Sequence, residues 1–210
     1  MADELIEVLT SAGEPTGEVK GKKKVHADGD YHACVHFFVT DGRGNLLTQF
    51  RGPQCGHMRD ARDPIGWAGH MSARVPAALG NEPPLDIILH AFDTGIREGN
   101  EEGGVTGLTR DIIHTPLCRY IGVTRGNFTT EDGWQDRSFS HNFLLVLPDL
   151  DPTTMPLEEG KVLDFKWMSI ADILALLDGA HGEKLAQREP DHQWMIRLAC
   201  AAAQLIQQGH

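Results

Sequence analysis

The sequence predicts an α/β domain in which a mixed β-sheet lies between helices, and three observations lead there. Runs of apolar, β-branched or aromatic residues recur at 33–40, 46–50, 120–124, 139–147 and 165–168, each of strand length and strand composition. Segments with apolar residues at helical spacing separate or follow them: Leu85, Ile88, Leu89, Phe92 and Ile96, then Trp194, Ile196, Leu198, Ala199, Ala202 and Ile206. The chain has 210 residues, 40% of them hydrophobic, with no internal repeat, long linker or low-complexity tract, so one domain over 1–210 with a substantial core is expected. Strands alternating with helices imply a sheet covered on both faces.

Taken in order, residues 5–9 (Leu-Ile-Glu-Val-Leu) read as a short strand and 13–17 (Gly-Glu-Pro-Thr-Gly) as a turn. The run Lys20-Gly21-Lys22-Lys23-Lys24 reads as a solvated strand edge, where lysine discourages edge-to-edge pairing; contact with a phosphate is the alternative. Residues 33–40 form a strong strand, 41–45 a hairpin-type turn, and 46–50 the returning strand. Residues 52–66 are rich in Gly, Pro, Arg and Asp and read as a loop, and 74–84 as an insertion before the next helix. Pro83-Pro84 suits a helix entry, because proline is tolerated in a first turn. Residues 120–124 suggest a strand, 125–137 a polar loop, and 139–147 a strand ended by Pro148. Ser169 is a good N-cap for a helix through Leu177, and a last helix covers about 191–207.

A net charge of −11 argues against sequence-independent binding of nucleic acid, which needs a basic footprint. The acidic start, Met1-Ala2-Asp3-Glu4, and the lack of a long apolar run predict a soluble, cytoplasmic protein with no membrane association. Cys34, Cys55, Cys118 and Cys200 are far apart and are expected as reduced thiols. The eleven histidines show no zinc-type spacing, and His32 and His36, two strand positions on one face, read as structural.

Chemistry concentrates at 97–105, Arg-Glu-Gly-Asn-Glu-Glu-Gly-Gly-Val. Glu98, Glu101 and Glu102 stand at i, i+3 and i+4, which places three carboxylates on one turn of a helix. Like charges so placed oppose the helix by about 0.2–0.5 kcal/mol per pair. A hard divalent cation would relieve that repulsion. A solvated acidic face is the bland alternative. Against it, the apolar stripe from Leu85 to Ile96 is expected to anchor one side of the helix while the glutamates project from the other, and Gly103-Gly104 supplies a C-cap immediately after them.

This stretch resembles the second half of the Nudix box: Arg-Glu, a small or apolar residue, any residue, Glu-Glu, any residue, Gly and an apolar residue. Gly99 departs from the usual aliphatic residue, at a cost of about 1 kcal/mol for glycine inside a helix. Further segments resemble a Nudix branch related to isopentenyl-diphosphate isomerases: Thr16-Gly17-Glu18 with Val25-His26, Gly29-Asp30-Tyr31-His32-Ala33, 46–51 (Leu-Leu-Thr-Gln-Phe-Arg), and 67–73 (Trp-Ala-Gly-His-Met-Ser-Ala). Together they cover roughly 14–106. The upstream half of the box is rebuilt: Gly69 lies far from Arg97, and Leu89 stands where a glutamate is usual, with Glu82 or Asp86 as spatial substitutes.

The resemblance implies a Nudix α/β/α sandwich and a hydrolase that cleaves a pyrophosphate bond, in a nucleoside diphosphate linked to another moiety or in a related organic diphosphate. It implies Mg²⁺ or Mn²⁺ held by Glu98, Glu101 and Glu102 with the carbonyl of Gly69, and one of the glutamates as base. Arg97 carries over as an ion-pairing member of the box, Arg51 as a residue facing the diphosphate, and His70 as a further substrate contact; for Arg51 a surface ion pair is the alternative. Another acid or base is expected among Glu131, Asp132 and Asp136, although solvated loop acids are the plainer reading. A small-molecule diphosphate is the expected partner, and a homodimer the expected assembly. A catalytically silent ligand-binding protein is the rival function. An isomerase is disfavoured, because that reaction needs a cysteine within 67–72 and none is there.

Overall fold

The structure is a computed structural model that describes residues 4–55, 58–73, 87–101, 103–129, 133–179, 185 and 190–209. Its axis is strand β3 (Tyr31–Thr40), with β1 (Leu5–Leu9) and β2 (Pro15–Gly21) before it. Along one edge β3 pairs in parallel with β9 (Gln135–Val146), from Tyr31 opposite Arg137 to Thr40 opposite Val146. Three antiparallel partners share the other edge. They are β1 at Tyr31, β6 (Trp67–His70) at Cys34–Phe37, and β4 (Asn45–Arg51) at Thr40. Beyond β4 lies β10 (Val162–Ser169), and beyond β9 lies β7 (Cys118–Arg125). The sheet is mixed, as predicted.

Alternation along β3 divides two cores. Val35, Phe37 and Val39 pack under α2 (Ile87–Glu101), where the Phe37 ring lies 5.4 Å from Phe92 and 5.2 Å from Phe143. Phe38 joins Leu46 and Leu144 under α3 (Ile170–Leu177) and α4 (Pro190–Gln207), which bring Ile173, Met195 and Ala199. Each large side chain so buried contributes about 1.5–3 kcal/mol. The expected sandwich of helix, sheet and helix is what these layers form. On the second face Phe38 is preceded by His36, Cys34 and His32, so the apolar core gives way to a polar floor at one end of the sheet.

Helix α2 approaches the sheet closely because its inner stripe is small. A Cβ at Gly95 would collide with the Phe37 ring, and one at Gly99 would come within 2.9 Å of the Trp67 indole. Trp67 Nε1 donates to the Gly95 carbonyl at 2.9 Å, lying along the helix where an aliphatic side chain at 99 would stand. Gly99, an oddity in the sequence, is thus the complement of Trp67. After the helix, Gly104 takes φ of +59° and Val105 N–H donates to the Gly99 carbonyl at 3.0 Å, in keeping with the expected cap. Ser169 caps α3 by accepting from Asp172 N–H at 3.1 Å.

Several expectations change. Pro15, read as part of a turn, opens β2, and the lysine run does not stay extended: Lys22, Lys23 and Lys24 begin helix α1 (Lys22–Asp28). Lys20 is held by Asp28 at 3.1 Å and Asp30 at 2.6 Å. The 52–66 loop contains a short buried strand, β5 (Ala61–Asp63), and within 125–137 β8 (Phe128–Thr129) pairs with the start of β9. The 74–84 insertion, with Leu85, lies outside the described residues. No described helix is long and apolar enough to cross a membrane.

Candidate metal and diphosphate site

The polar end of the sheet opens into a cleft of about 440 Å³. Its rim is crossed by α2, which delivers Arg97, Glu98 and Glu101, while Glu4 and Lys22 come from the N-terminal elements. Among the sequence-predicted residues, Arg51, Gly69, His70, Arg97, Glu98 and Glu101 all line it. Glu102 lies outside the described residues, as do Glu82, Asp86, Glu131 and Asp132.

The glutamates do not share the outer face of α2. Glu98 is buried, on the stripe that also buries Ala91, Thr94 and Gly95, whereas Glu101 is exposed. The reason lies in Gly69: a Cβ there would collide with the Glu98 side chain, so a bare strand position in β6 makes the room that the carboxylate fills. The expectation that Gly69 faces the glutamate helix is met, and the expectation of three outward glutamates is corrected. Burial pushes the Glu98 carboxyl up from its ordinary value, with Glu4 and Glu101 adding to the rise and the Arg97 guanidinium opposing it. Arg97 donates to Glu98 at 2.5 Å and to Glu101 at 3.0 Å, and lies 3.6 Å from Glu4. Its carboxylate partners, in doubt from the rebuilt box, therefore include one from the chain's N-terminal segment.

Arg51 lines the cleft and donates to the fully buried Asp63 at 3.4 Å, so the ion pair it makes is a buried one and not the surface pair of the alternative reading. Asp136, one of the three loop acids considered, belongs to β9 and lines the cleft.

His70 belongs to a cluster that the sequence spacing did not reveal. His26, His32 and His70 present ring nitrogens that all lie within 4.8 Å of one another. Helix α1 brings the first and β3 the second. The β3–β6 register, Cys34 opposite His70, brings the third. His26 Nδ1–H donates to the Gln135 carbonyl at 2.7 Å and His32 Nδ1–H to the Asp30 carbonyl at 3.2 Å. These bonds set the tautomers and leave Nε2 of each as a lone pair. His70 Nε2–H can then donate to His26 Nε2 at 3.0 Å. Burial pushes both His26 and His32 below the ordinary histidine value, with Asp136 opposing, so they are neutral near pH 7.

This donor set fits a divalent ion. His32 Nε2 is buried with no hydrogen-bond partner, and Asp136 Oδ1, 3.9 Å away, is in the same position. Backbone carbonyls orient two of the imidazoles, as outer-shell partners of metal-binding histidines do. Nitrogens about 2.0–2.1 Å from one tetrahedral ion stand about 3.4 Å apart, so the widest pair of the trio must close by up to roughly 1.4 Å to share it. Of the two histidines read as structural, His32 joins this cluster, while His36 donates Nδ1–H to Asn142 Oδ1 at 3.2 Å and lines the cleft. Among the described residues all four cysteines are free, and burial pushes the Cys34 thiol well up.

No family model matches the chain. Nudix hydrolase 3 of Arabidopsis thaliana is 38% identical over 87 residues, a match that covers 41% of this chain and 11% of that protein. Among solved structures, the DR0079 protein of Deinococcus radiodurans aligns with a TM-score of 0.58 at 16% identity, covering 92% of this chain and 98% of that one. A Nudix hydrolase of Alicyclobacillus acidocaldarius aligns with a TM-score of 0.51 at 14% identity, over 81% of this chain and 91% of that one. At such identities the solved structures speak for the fold, and the Arabidopsis match speaks for descent over the part it covers. The Arg-Glu-x-x-Glu-Glu turn, the sequence match and the shared architecture agree: the chain carries the Nudix fold and is similar to a Nudix hydrolase over the matched 87 residues.

Proposed function

We propose that the protein is a divalent-metal-dependent hydrolase of an organic diphosphate, including a nucleoside diphosphate linked to another moiety. The observation that carries this is a single cleft in which Glu98 and His70 stand among Lys22, Arg51 and Lys161. Carboxylate and imidazole suit a cation, and lysine and arginine suit phosphate oxygens.

His26, His32 and His70, with Glu98, Glu101 and Glu102 from the box, are the residues that would hold the metal. When bound, it would offset the diphosphate charge and acidify a water. Glu98, held above the ordinary carboxylate range, is suited to accept a proton from the attacking water. Arg97 fixes the rotamers of Glu98 and Glu101 by donating to both. Arg51, Lys22 and Lys161 would orient the phosphates.

A phosphate-release assay over a panel of diphosphates with Mg²⁺ or Mn²⁺, run beside Glu98→Gln, tests the reading. Turnover that requires metal and disappears in the variant supports it. Metal binding with no turnover on any substrate would favour the silent binding protein instead.

A further inference from the structure

A second cavity, of about 430 Å³, lies on the α2 face of the sheet, beside the first turn of that helix. Ala33, Phe139 and His141 line it, whereas Cys34, His36 and Ser138 line the diphosphate cleft, so alternation along β3 and β9 puts the sheet between the two. The volume falls in the range of small-molecule sites, about 300–1,000 Å³. Leu9, Pro15, Met71, Ile87, Val123 and Phe139 give it apolar walls. Ile87 is 39% and Val123 45% exposed, so a ligand with an apolar body would cover surface that the fold leaves in water.

One carboxylate breaks that apolar surface. Among the described residues lining the cavity Glu7 is the sole acid, and there is no lysine or arginine. Ile6 and Val8 turn into a core of their own, which leaves Glu7, half-buried, on the cavity side of β1. It makes no hydrogen bond or ion pair to any described residue. The other polar groups are engaged: His90 Nε2–H donates to the Ser72 carbonyl at 3.2 Å, and His141 Nδ1 shares a hydrogen bond with the Tyr120 hydroxyl at 3.0 Å. The Phe139 ring already carries the Arg125 guanidinium at 5.9 Å, a cation–π contact within the protein itself.

These features select the charge of a ligand. An anion would meet Glu7 with no counter-charge, and a neutral apolar body would strip water from the carboxylate without pairing it. A bare divalent ion needs several oxygen ligands and would find one carboxylate among apolar walls. An organic ammonium ion suits both halves. We propose that this cavity is a second binding site, for a small organic amine whose ammonium pairs with Glu7 while its apolar body lies against Met71, Val123 and Phe139. The site shares none of its described lining residues with the diphosphate cleft.

The test is an amide NMR titration of the full chain with tryptamine, tryptophol and indole-3-acetate, which share an indole ring and differ in charge. Tryptamine is expected to shift the amides of Glu7, Ser72, His90, Val123 and Phe139. It should bind about tenfold tighter than tryptophol, the effect of one charge-assisted hydrogen bond, with indole-3-acetate weakest. Glu7→Gln should bring tryptamine down to the affinity of tryptophol and leave tryptophol unchanged. If that variant fails to fold, the order of the three ligands on the parent protein still decides. Equal binding of tryptamine and tryptophol, tightest binding of indole-3-acetate, or no binding of any of the three at millimolar concentration would overturn the proposal. So would tryptamine shifts centred on Arg97, Glu98 and Glu101, which would place the amine in the acidic cleft instead.

Discussion

Glu98 is the residue on which chemistry and stability meet. Its carboxyl is raised by burial, so the folded protein holds that proton more tightly than the unfolded chain does. The stability associated with the protonated form is complete below the unfolded value near 4.5 and is lost as pH rises through the raised folded value. Without metal, Glu98→Gln is therefore expected to melt higher than the parent at neutral pH and to match it in acid; a variant that melts lower at pH 7 would show the charge to be well accommodated. His26 and His32 run the opposite way. Their folded values are depressed by burial, so their contribution is present above about pH 6.5 and is lost as the pH falls below it. Acid melting curves should show a decline starting there, and it should be smaller in His26→Gln, which cannot be charged.

At the level of elements, helix α2 and strand β6 are fitted to each other through missing side chains. Gly99→Leu, which restores the aliphatic residue usual in the box, should destabilise the protein by about 1–3 kcal/mol, because its side chain meets the Trp67 indole. Trp67→Leu in the same chain should recover part of that loss, and chemical denaturation of the four proteins of the cycle measures the coupling. Strictly additive losses would mean that the two positions do not compete for space. The same pair explains what could be read in advance. The sandwich, the strands at 33–40 and 46–50, the Ser169 cap and the outward acid Glu101 were legible, because apolar period and capping residues are local signals. The inward turn of Glu98 was not. The large apolar residues of the helix marked one stripe; the buried stripe shares only Phe92 with it and otherwise runs through the small residues Ala91, Thr94, Gly95 and Gly99, where size and not hydropathy is the signal. Nor was the histidine trio legible, since only the β3–β6 register and the fold of α1 bring 26, 32 and 70 together.

Over the whole molecule, the polar end of the sheet concentrates the metal-fitting and phosphate-fitting groups, with α1 and α2 delivering several of them. Metal should stabilise the native state by mass action, about 2.7 kcal/mol at a concentration one hundred times the dissociation constant. Imidazole ligands favour Mn²⁺ or Zn²⁺ over Mg²⁺. If the three histidines hold the ion, Mn²⁺ should raise the melting temperature more than equal Mg²⁺, and His32→Ala should abolish the difference; an equal response to both ions would assign the metal to the carboxylates alone. Everything proposed for the cleft turns on whether it hydrolyses diphosphates. The decisive assay is phosphate release from nucleotide sugars, ADP-ribose, dinucleoside polyphosphates, coenzyme A, nucleoside triphosphates and sugar and prenyl diphosphates, with Mg²⁺ and with Mn²⁺. Turnover that needs metal and is lost in Glu98→Gln, with the fold of the variant intact by circular dichroism, is the expected result. Turnover retained in Glu98→Gln, or silence from a metal-loaded parent on every compound, would contradict it.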